Sequence, residues 1–361
     1  MSSSASSAFK FLGGAAFVAA VGIVGVPAAI AADAAAPGPS IDVTGFVDTY
    51  YSYNFNKPPG KVNQLHSYDV DHNSLSLSLV ELALEKKPTT DSRVGFRIDT
   101  AFGPTAEINN AFEPSSADSL KLLQQGYVSF LAGDKIQIDA GKMNTFIGAE
   151  VIESKDNWNY TRSLQFGWAI PFYHAGVRAT LTPSDKFVLA GYLVNGWNNV
   201  VDNNNDKSFG AQAILKPSGK FTLIGNAIVG KEADETRSLF DAIVTLSPSD
   251  KFSLMANYDH GKDGDAQWDA ISGYAKLTAG KIGFSPRVEW VNDDDAFLTG
   301  TSQKLTSFTL TTEFKIGGGV LTRVDLRQDH SNVSFFESDS GFKKNQTGLT
   351  VGVVYAFGGK I

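Results

Sequence analysis

The segment from Gly141 to Ala179 contains the residues whose types and spacing suggest a functional site. Four charged residues in it stand among aromatic side chains and do not form a solvated run; they are Glu150, Glu153, Asp156 and Arg162. Acidic and basic groups held along a passage can orient and select the polar solutes that move through it. Segments this long without a repeating pattern are usually either functional or disordered in compact folds. An ordinary surface loop is the alternative, so the elements that flank the segment decide its role.

Alternating apolar and polar residues on both sides of this segment predict β-strands. From Ile41 onward, for example, Val43, Val47 and Tyr51 share one face while Asp48 shares the other with further polar residues. The same period of two recurs about sixteen times along the chain. The predicted strands are 41–56, 70–87, 92–103, 119–132, 134–143, 170–182, 185–195, 207–217, 219–230, 236–247, 250–260, 267–279, 281–291, 304–316, 318–330 and 345–357.

The connections between these strands alternate in length. Short ones carry Gly, Pro, Asp and Ser, which suit tight turns, and between them lie longer polar stretches, including 231–235, 261–266 and 331–344. Short turns at one edge and long loops at the other are typical of an all-β transmembrane barrel with periplasmic turns and extracellular loops. A soluble sandwich has no reason to keep that asymmetry.

The sheet is expected to close, because an open edge in hydrocarbon would leave backbone groups without partners. We therefore predict an antiparallel up-and-down barrel over residues 41–357, in which 41–56 pairs with 345–357 and residues 358–361 form a tail. Within that barrel, the segment near 144–169 is predicted to fold into the lumen and narrow it.

Composition agrees with a barrel and excludes other classes. Charged residues make up 19% of the chain, below the ~25% usual for globular proteins, and beyond the N-terminus no apolar run approaches the ~20 residues of a membrane helix. The net charge of −7 argues against nucleic acid as a partner. The chain has no cysteine, and its five histidines show no zinc-binding spacing, so neither disulfides nor a metal or other cofactor is expected.

Residues 1–32 are predicted to be an export signal, with Lys10 at the positive end, an apolar core from Phe11 to Ile30, and small residues at Ala29 and Ala31 that suit cleavage near Ala32. The core is longer than usual, which leaves an uncleaved anchor as the alternative. Residues 33–40 are interpreted as a short tether.

Several strands carry ionisable residues at alternate positions. An arginine or lysine facing lipid near the midplane costs ~2–4 kcal/mol, so these faces are predicted to point inward. Sixteen strands enclose a space too wide for side chains to fill. Ion pairs are expected between Arg323 and Asp325 of a neighbouring rung, and between Arg97 and an acidic loop residue, with wall arginines facing Glu150, Glu153 and Asp156. The predicted pore lining is Arg93, Arg97, Asp99, Arg178, Arg287, Glu289, Glu313, Arg323, Asp325 and Arg327.

Four stretches resemble a known family: GFVDTYYSYNFNKP (45–58), GAEVIESKDNWNYTRS (148–163), AIPFYHAGVRA (169–179) and GYLVNGWNN (191–199). They are similar to outer-membrane β-barrel porins of the OmpL-like type, over essentially the whole chain after the signal. The resemblance implies a Gram-negative outer-membrane location and a homotrimer. It names no solute, because fold does not fix function.

We therefore predict a porin, a water-filled channel for passive diffusion of small hydrophilic solutes, without enzymatic activity. Its expected partners are outer-membrane lipid, the solutes, and the barrel-assembly machinery, which would read the terminal alternation ending at Phe357. One alternative is a structural or binding barrel, plugged or sheathing another protein, whose loops recognise a partner. Another is an outer-membrane hydrolase, although no G-x-S-x-G or ordered Ser-His-Asp motif supports it.

Overall fold

The computed structural model of the protein describes residues 40–361. The alternating segments form a closed antiparallel barrel of sixteen strands, each paired with its neighbours in the sequence, and the first strand closes against the last. Fold class and strand number are therefore as predicted. The predicted export signal at 1–32 and residues 33–39 of the tether lie outside the described residues.

The sixteen wall strands are β1–β15 and β18, and a small separate hairpin, β16–β17, lies in the last long loop. The bounds are β1 Asp42–Asn54, β2 Ser74–Lys86, β3 Val94–Phe102, β4 Leu123–Leu131, β5 Ile136–Asn144, β6 Tyr173–Ser184, β7 Phe187–Val194, β8 Ser208–Ser218, β9 Phe221–Glu232, β10 Glu235–Ser249, β11 Phe252–Asp263, β12 Ala266–Ala279, β13 Ile282–Asp293, β14 Gln303–Gly317, β15 Val320–Ser331, β16 Phe336–Ser338, β17 Gly341–Lys343 and β18 Asn345–Lys360. One α-helix, α1 (Pro104–Asn109), and a 3-10 helix (Ser115–Leu122) lie between β3 and β4.

Two connections and the C-terminal end differ from the sequence-based expectation. The stretches 231–235 and 261–266 are not long loops, since only residues 233–234 separate β9 from β10 and residues 264–265 separate β11 from β12. The expected tail at 358–361 is also wrong: β18 continues to Lys360, with Gly358 opposite Thr44 and Lys360 opposite Asp42. Pairing these residues satisfies backbone groups of β1 that would otherwise lack a strand partner at the seam.

The wall strands alternate as a membrane barrel requires. On β13, β14 and β15, Val288, Phe308 and Leu326 are exposed on the outside, whereas the adjacent Arg287 and Arg327 are buried. Apolar residues outside and polar residues inside match a sheet between lipid and a hydrated interior. Among residues 40–361, no helix has the length and apolar content needed to cross a membrane.

Much of the buried apolar core is supplied by loops. The segment between β5 and β6 contributes Ile147, Ile152, Leu164, Phe166 and Ile170, and these pack in one cluster with residues of the β1–β2 loop and of the wall. Phe146 stacks on Tyr192 of β7, with ring centroids 3.8 Å apart. The core thus lies against the inner face of the wall, where it holds loops in place.

Candidate functional site

Residues 145–172, between β5 and β6, form the element around which the site is built, and we call them the inserted segment. Its Glu153 accepts a hydrogen bond from Gln124 on β4, 2.8 Å away. Its Glu150 accepts one from Arg287 on β13, at 2.9 Å. Since β4 and β13 are seven steps apart around a ring of sixteen strands, the inserted segment runs from one side of the lumen almost to the other.

Arg287 is the principal wall contact of the inserted segment. Its side chain is fully buried, and its guanidinium lies 2.9 Å from Glu150 and 2.8 Å from Glu289. It also donates to the carbonyl of Thr161, at 2.6 Å. A buried ion pair is stable only when hydrogen bonds satisfy its remaining atoms. Three of the sequence-predicted residues, Glu150, Arg287 and Glu289, therefore meet in one buried cluster.

The middle of the inserted segment binds the wall on the far side through its backbone. Asp325 on β15 accepts hydrogen bonds from the N–H groups of Tyr160 and Thr161, at 3.1 and 2.9 Å. The Tyr160 hydroxyl donates to Asp48 on β1, at 2.8 Å. Neither Asp48 nor Tyr160 was identified from the sequence, because a single aspartate or tyrosine carries no signal of its partner. Their inward position was the only available cue.

The predicted pair of Arg323 with Asp325 does not form. Arg323 pairs with Glu313, at 2.7 Å, and donates to the carbonyl of Ser154. Glu313 is the direct cross-strand neighbour of Arg323 in the register of β14 and β15, and direct neighbours are closer than residues two apart on one strand. Asp325 is then left free to accept the backbone donors of the inserted segment.

Arg97 pairs with the wall and not with an acidic loop residue as predicted. Its guanidinium is 2.9 Å from Asp99 and 3.7 Å from Glu85, which lies opposite it on β2. Arg178 forms the equivalent cross-strand pair with Asp139, at 2.7 Å. The side chains of Arg97 and Arg178 remain 30% and 25% exposed, so a solute can reach part of each.

The remaining two wall arginines lie at opposite extremes of burial. Arg327 is buried, pairs with Asp329 at 2.8 Å and donates to the carbonyl of Arg162, also at 2.8 Å. Arg93 precedes the first residue of β3, is exposed, and lies 3.5 Å from Asp134 at the β4–β5 turn. Arg93 therefore stands at the rim of the turn side and not along the wall.

The predicted field between wall arginines and three loop acids holds only at Glu150. Glu153 accepts hydrogen bonds from the amides of Gln124 and Asn144. The carboxylate of Asp156 is 55% exposed and pairs with the adjacent Lys155. Among the described residues, neither Glu153 nor Asp156 meets a wall arginine, because the wall arginines already pair with other carboxylates, on their own strand or on a neighbouring one.

Arg162 stabilises the inserted segment itself. It is buried and donates to the carbonyls of Val151, Ile152 and Tyr160. Its guanidinium also lies 4.9 Å from the ring centroid of Tyr68, in the β1–β2 loop. Arg162 thus fixes the turn of the inserted segment and joins it to a second loop.

The β1–β2 loop, residues 55–73, carries a buried histidine between two carboxylates. His66 lies 2.6 Å from Asp69 and 3.4 Å from Asp329. Burial alone would lower the pKa of His66, but Asp69 and Asp329 outweigh it and raise the pKa above its usual value. Burial would raise the pKa of Asp69, but the nearby His66 lowers it. The sequence analysis did not predict this cluster, because Asp329 is far from His66 and Asp69 in the sequence.

A chain of side-chain hydrogen bonds holds the first part of the inserted segment against β8–β11. Gln212 donates to Asn226, and both Asn226 and Asn257 donate to Asp241. We call these four residues the amide belt. The belt also contacts the inserted segment, since Gln212 donates to the carbonyl of Phe146 at 3.1 Å and Asn257 accepts from the N–H of Ala149 at 2.9 Å.

A polar cavity of about 350 Å³ lies along the inner faces of β5–β8. Arg178 and Tyr192 line it together with Gln137, Thr180 and Gln212. Among the described residues, no group of three or more histidine, cysteine, aspartate or glutamate side chains is arranged to hold a metal ion. The geometry therefore provides a hydrated, charged surface beside a fixed crossing segment, and this arrangement suits the passage of polar solutes.

A closed sixteen-stranded barrel with an apolar outside and a loop-crossed polar interior defines an outer-membrane channel. The chain belongs to the family described as "Putative beta-barrel porin-2, OmpL-like", whose model matches residues 40–357. The protein is accordingly an outer-membrane porin for passive diffusion. No curated protein matches the sequence.

Solved structures of outer-membrane proteins share the fold at low sequence identity. The outer membrane channel DcaP of Acinetobacter baumannii is 14% identical, with a TM-score of 0.60, over 89% of this chain and 99% of that one. The trimer form of OmpT from Vibrio cholerae is 12% identical, with a TM-score of 0.60, over 89% and 100%. The anion-selective porin of Comamonas acidovorans is 12% identical, with a TM-score of 0.58, over 88% and 100%.

Proposed function

We propose that the inserted segment is the constriction of a non-enzymatic channel for small hydrophilic solutes. The observation that carries the proposal is its attachment to nearly opposite walls through Glu150 and Arg287 on one side and Glu153 and Gln124 on the other. A segment tied at both sides narrows the lumen without moving. Solutes would pass beside it, along the polar cavity of β5–β8.

The charged residues of the lumen then divide into two groups by exposure. Arg287, Glu289, Arg323, Asp325 and Arg327 are buried and hold loops. Arg97 and Arg178 keep part of their side chains exposed, and we propose that these two guanidinium groups contact the solute. Their positive ends would favour solutes that carry carboxylate or phosphate groups, or many hydroxyls.

Planar-bilayer recording tests the channel directly. The purified protein should insert in discrete steps of ohmic conductance, and in a salt gradient Arg97→Gln and Arg178→Gln should shift the reversal potential toward cations. Lys304→Gln is the matched control, since Lys304, the second residue of β14, is half exposed and pairs with Asp294, which directly follows β13. Bilayers that stay silent under conditions in which a reference porin conducts would contradict the proposal.

One observation favours the plugged barrel as a second candidate. The inserted segment and the β1–β2 loop place four side chains in one buried apolar cluster: Phe166, Ile170, Leu65 and Tyr68. A water-filled passage does not require such a cluster, whereas a plug needs one to stay folded inside the barrel. A plugged barrel would give no steady conductance, but mild urea that loosens the loops would open it. The same recording therefore separates the two candidates.

We further propose a homotrimer. β3, β4 and β5 have nine residues each and β7 has eight, at or just below the lower end of the ~9–11 that a strand needs to cross a bilayer. A wall that borders neighbouring copies meets less of the lipid's thickness, and OmpT of Vibrio cholerae has a solved trimer form. Native mass spectrometry in detergent should give three times the mass of one chain.

A further inference from the structure

Two carboxyl groups face one another on the inner wall behind the inserted segment. Asp241 on β10 and Asp259 on β11 are direct cross-strand neighbours. Both are completely buried, and their side chains lie within hydrogen-bonding reach of each other. The arginine on β10, Arg237, is already paired with Asp263. Among the described residues, neither Asp241 nor Asp259 forms an ion pair with a basic side chain.

Two further buried side chains near this pair, those of Gln165 and Ser272, carry polar atoms without partners. The Oδ2 atom of Asp259, both amide atoms of Gln165 and the hydroxyl of Ser272 have no hydrogen-bond partner. Gln165, on the inserted segment, is 1% exposed and lies beside Asp259. Ser272, on β12, is opposite Asn257 and therefore faces inward next to Asp259. Several unsatisfied buried atoms on neighbouring residues indicate a missing partner, since buried polar groups are almost always bonded.

We propose that Asp241, Asp259, Gln165 and Ser272 form a binding site for one calcium ion. The two carboxylates, the amide oxygen and the hydroxyl offer six oxygen atoms and no sulfur, and Ca²⁺ takes six to eight oxygen ligands in flexible geometry. The two oxygens of Asp241 also accept hydrogen bonds from Asn226 and Asn257, so they would bind the ion through their remaining lone pairs. One Ca²⁺ also balances the two buried negative charges, which are otherwise costly. Mg²⁺ fits less well, because it demands an octahedral shell and keeps its waters.

The ion would have a structural role beyond the proposed channel function. Gln165 belongs to the inserted segment, whereas the other three residues belong to the wall strands β10, β11 and β12. A bound Ca²⁺ would therefore tie the last third of the inserted segment to the wall. The amide belt and Arg287 hold its earlier part, so the calcium site would complete the attachment.

The competing explanation is a proton shared between the two aspartates, because two adjacent carboxyl groups cannot both ionise at close range. A shared proton needs acid and no metal, whereas a calcium site needs metal and is weakened by acid. The two explanations thus predict opposite responses to pH and to chelation.

The test uses the full protein refolded in detergent without lipopolysaccharide, chelated and then dialysed at pH 7.5. Thermal unfolding is followed by tryptophan fluorescence, which Trp168, close to Gln165, reports. Adding CaCl₂ should raise the melting temperature with saturation, whereas MgCl₂ and NaCl at equal ionic strength should not. A melting temperature that does not change with Ca²⁺ would overturn the calcium site, and a rise between pH 8 and pH 5 in that case would identify the shared proton as the explanation.

Variants locate the effect. Asp259→Asn should abolish the calcium-dependent rise, whereas Asp269→Asn, which changes a partly exposed carboxylate on the next strand, should keep it. Gln165→Glu adds a third carboxylate, so it should lower the Ca²⁺ concentration needed for half of the effect. If Asp259→Asn fails to fold, Gln165→Glu still decides, because a destabilisation that Ca²⁺ does not reverse would also overturn the proposal.

Discussion

At the scale of single residues, the buried arginines of the wall serve as anchors. Arg287 has a fully buried side chain and contacts Glu150, Glu289 and the backbone of the inserted segment. Burying a charge of this kind is favourable only because each contact is made. Arg287 is therefore the residue whose loss should do most harm.

We expect Arg287→Gln to lower the free energy of unfolding by about 3–5 kcal/mol, because it leaves the buried Glu150 and Glu289 without their cation. Urea unfolding in detergent, followed by tryptophan fluorescence, measures the change. The exposed pair of Lys304 and Asp294 provides the control, and Lys304→Gln should cost less than about 1 kcal/mol. Equal losses of unfolding free energy in both variants would show that the buried Arg287 cluster stabilises the protein no more than an exposed ion pair does.

A second residue-scale prediction concerns pH and His66. Its pKa is raised in the folded protein, so protonated His66 stabilises the β1–β2 loop fully below about pH 6.5, the ordinary value for histidine, and the stabilisation is lost as the pH rises through the raised pKa. The pKa of Asp69 is lowered, so its contribution is present above the ordinary aspartate value and is lost as the pH falls through the lowered pKa.

The loop should therefore become easier to cleave on passing from mildly acidic to alkaline pH. Limited proteolysis between residues 55 and 73, followed by mass spectrometry at pH 6 and pH 9.5, measures this, and His66→Asn should cleave at similar rates at both. His330→Asn, at an exposed histidine, should behave like the parent. A parent protein that shows no difference between the two pH values would contradict the role of His66.

The sequence was sufficient to predict which residues face inward, but not which residues pair. A period of two assigns the face of Arg97 or Arg323, whereas its partner depends on register, and register changes at bulges such as that between Asp99 and Thr100. Arg323 therefore meets Glu313 and not Asp325. Contacts made through loop backbone, such as those of Asp325 with residues 160 and 161, leave no trace in a pattern of side chains.

At the scale of elements, strands were easier to predict than connections. The alternation of apolar and polar residues predicts all sixteen wall strands. At the ends of β9–β12 next to the long-loop side, however, polar residues made the sequence look like loop, so these ends were predicted too short. Glu232 and Asp263 continue the period of two into two-residue turns, and an inward polar residue looks the same as a loop residue in sequence. Helix α1 and the hairpin β16–β17 are short pieces held by neighbouring loops, so local pattern gave little indication of them.

The element-scale prediction concerns the inserted segment as a constriction. Deleting residues 151–158 removes Glu153 and Asp156 but keeps Glu150, so we expect a larger single-channel conductance in a barrel that still folds. Single-channel recording measures it, and the loss of residues 334–341 from the last long loop is the matched control, with little change expected. An unchanged conductance in the 151–158 deletion would mean that this part of the segment does not limit the passage.

At the scale of the whole molecule, closure makes the barrel one cooperative unit. β1 pairs with β18 from Asp42 opposite Lys360 to Asn54 opposite Gly348, so the first and last wall strands complete the cylinder. Ile41 and Ile361 exchange backbone hydrogen bonds of 2.9 and 3.0 Å just beyond the last strand pair. The first and last wall strands thus hold each other at this edge, and among the described residues neither has another backbone partner on that side.

Because β1 and β18 are joined by backbone hydrogen bonds, residues 358–361 should stabilise the barrel through their backbone as well as through their side chains. Deleting residues 358–361 leaves Ile41 to Thr44 unpaired on the β18 side, and each backbone group left unsatisfied near the membrane edge carries a cost. We expect a smaller fraction of barrels to survive heating in SDS, measured by gel migration over a temperature series. Lys360→Gln removes only the exposed ion pair with Asp42 and should leave the midpoint almost unchanged. If both variants and the parent protein lose the barrel at the same temperature, pairing at this edge adds no stability. The residues at this edge would then lie outside the cooperatively folded part of the barrel.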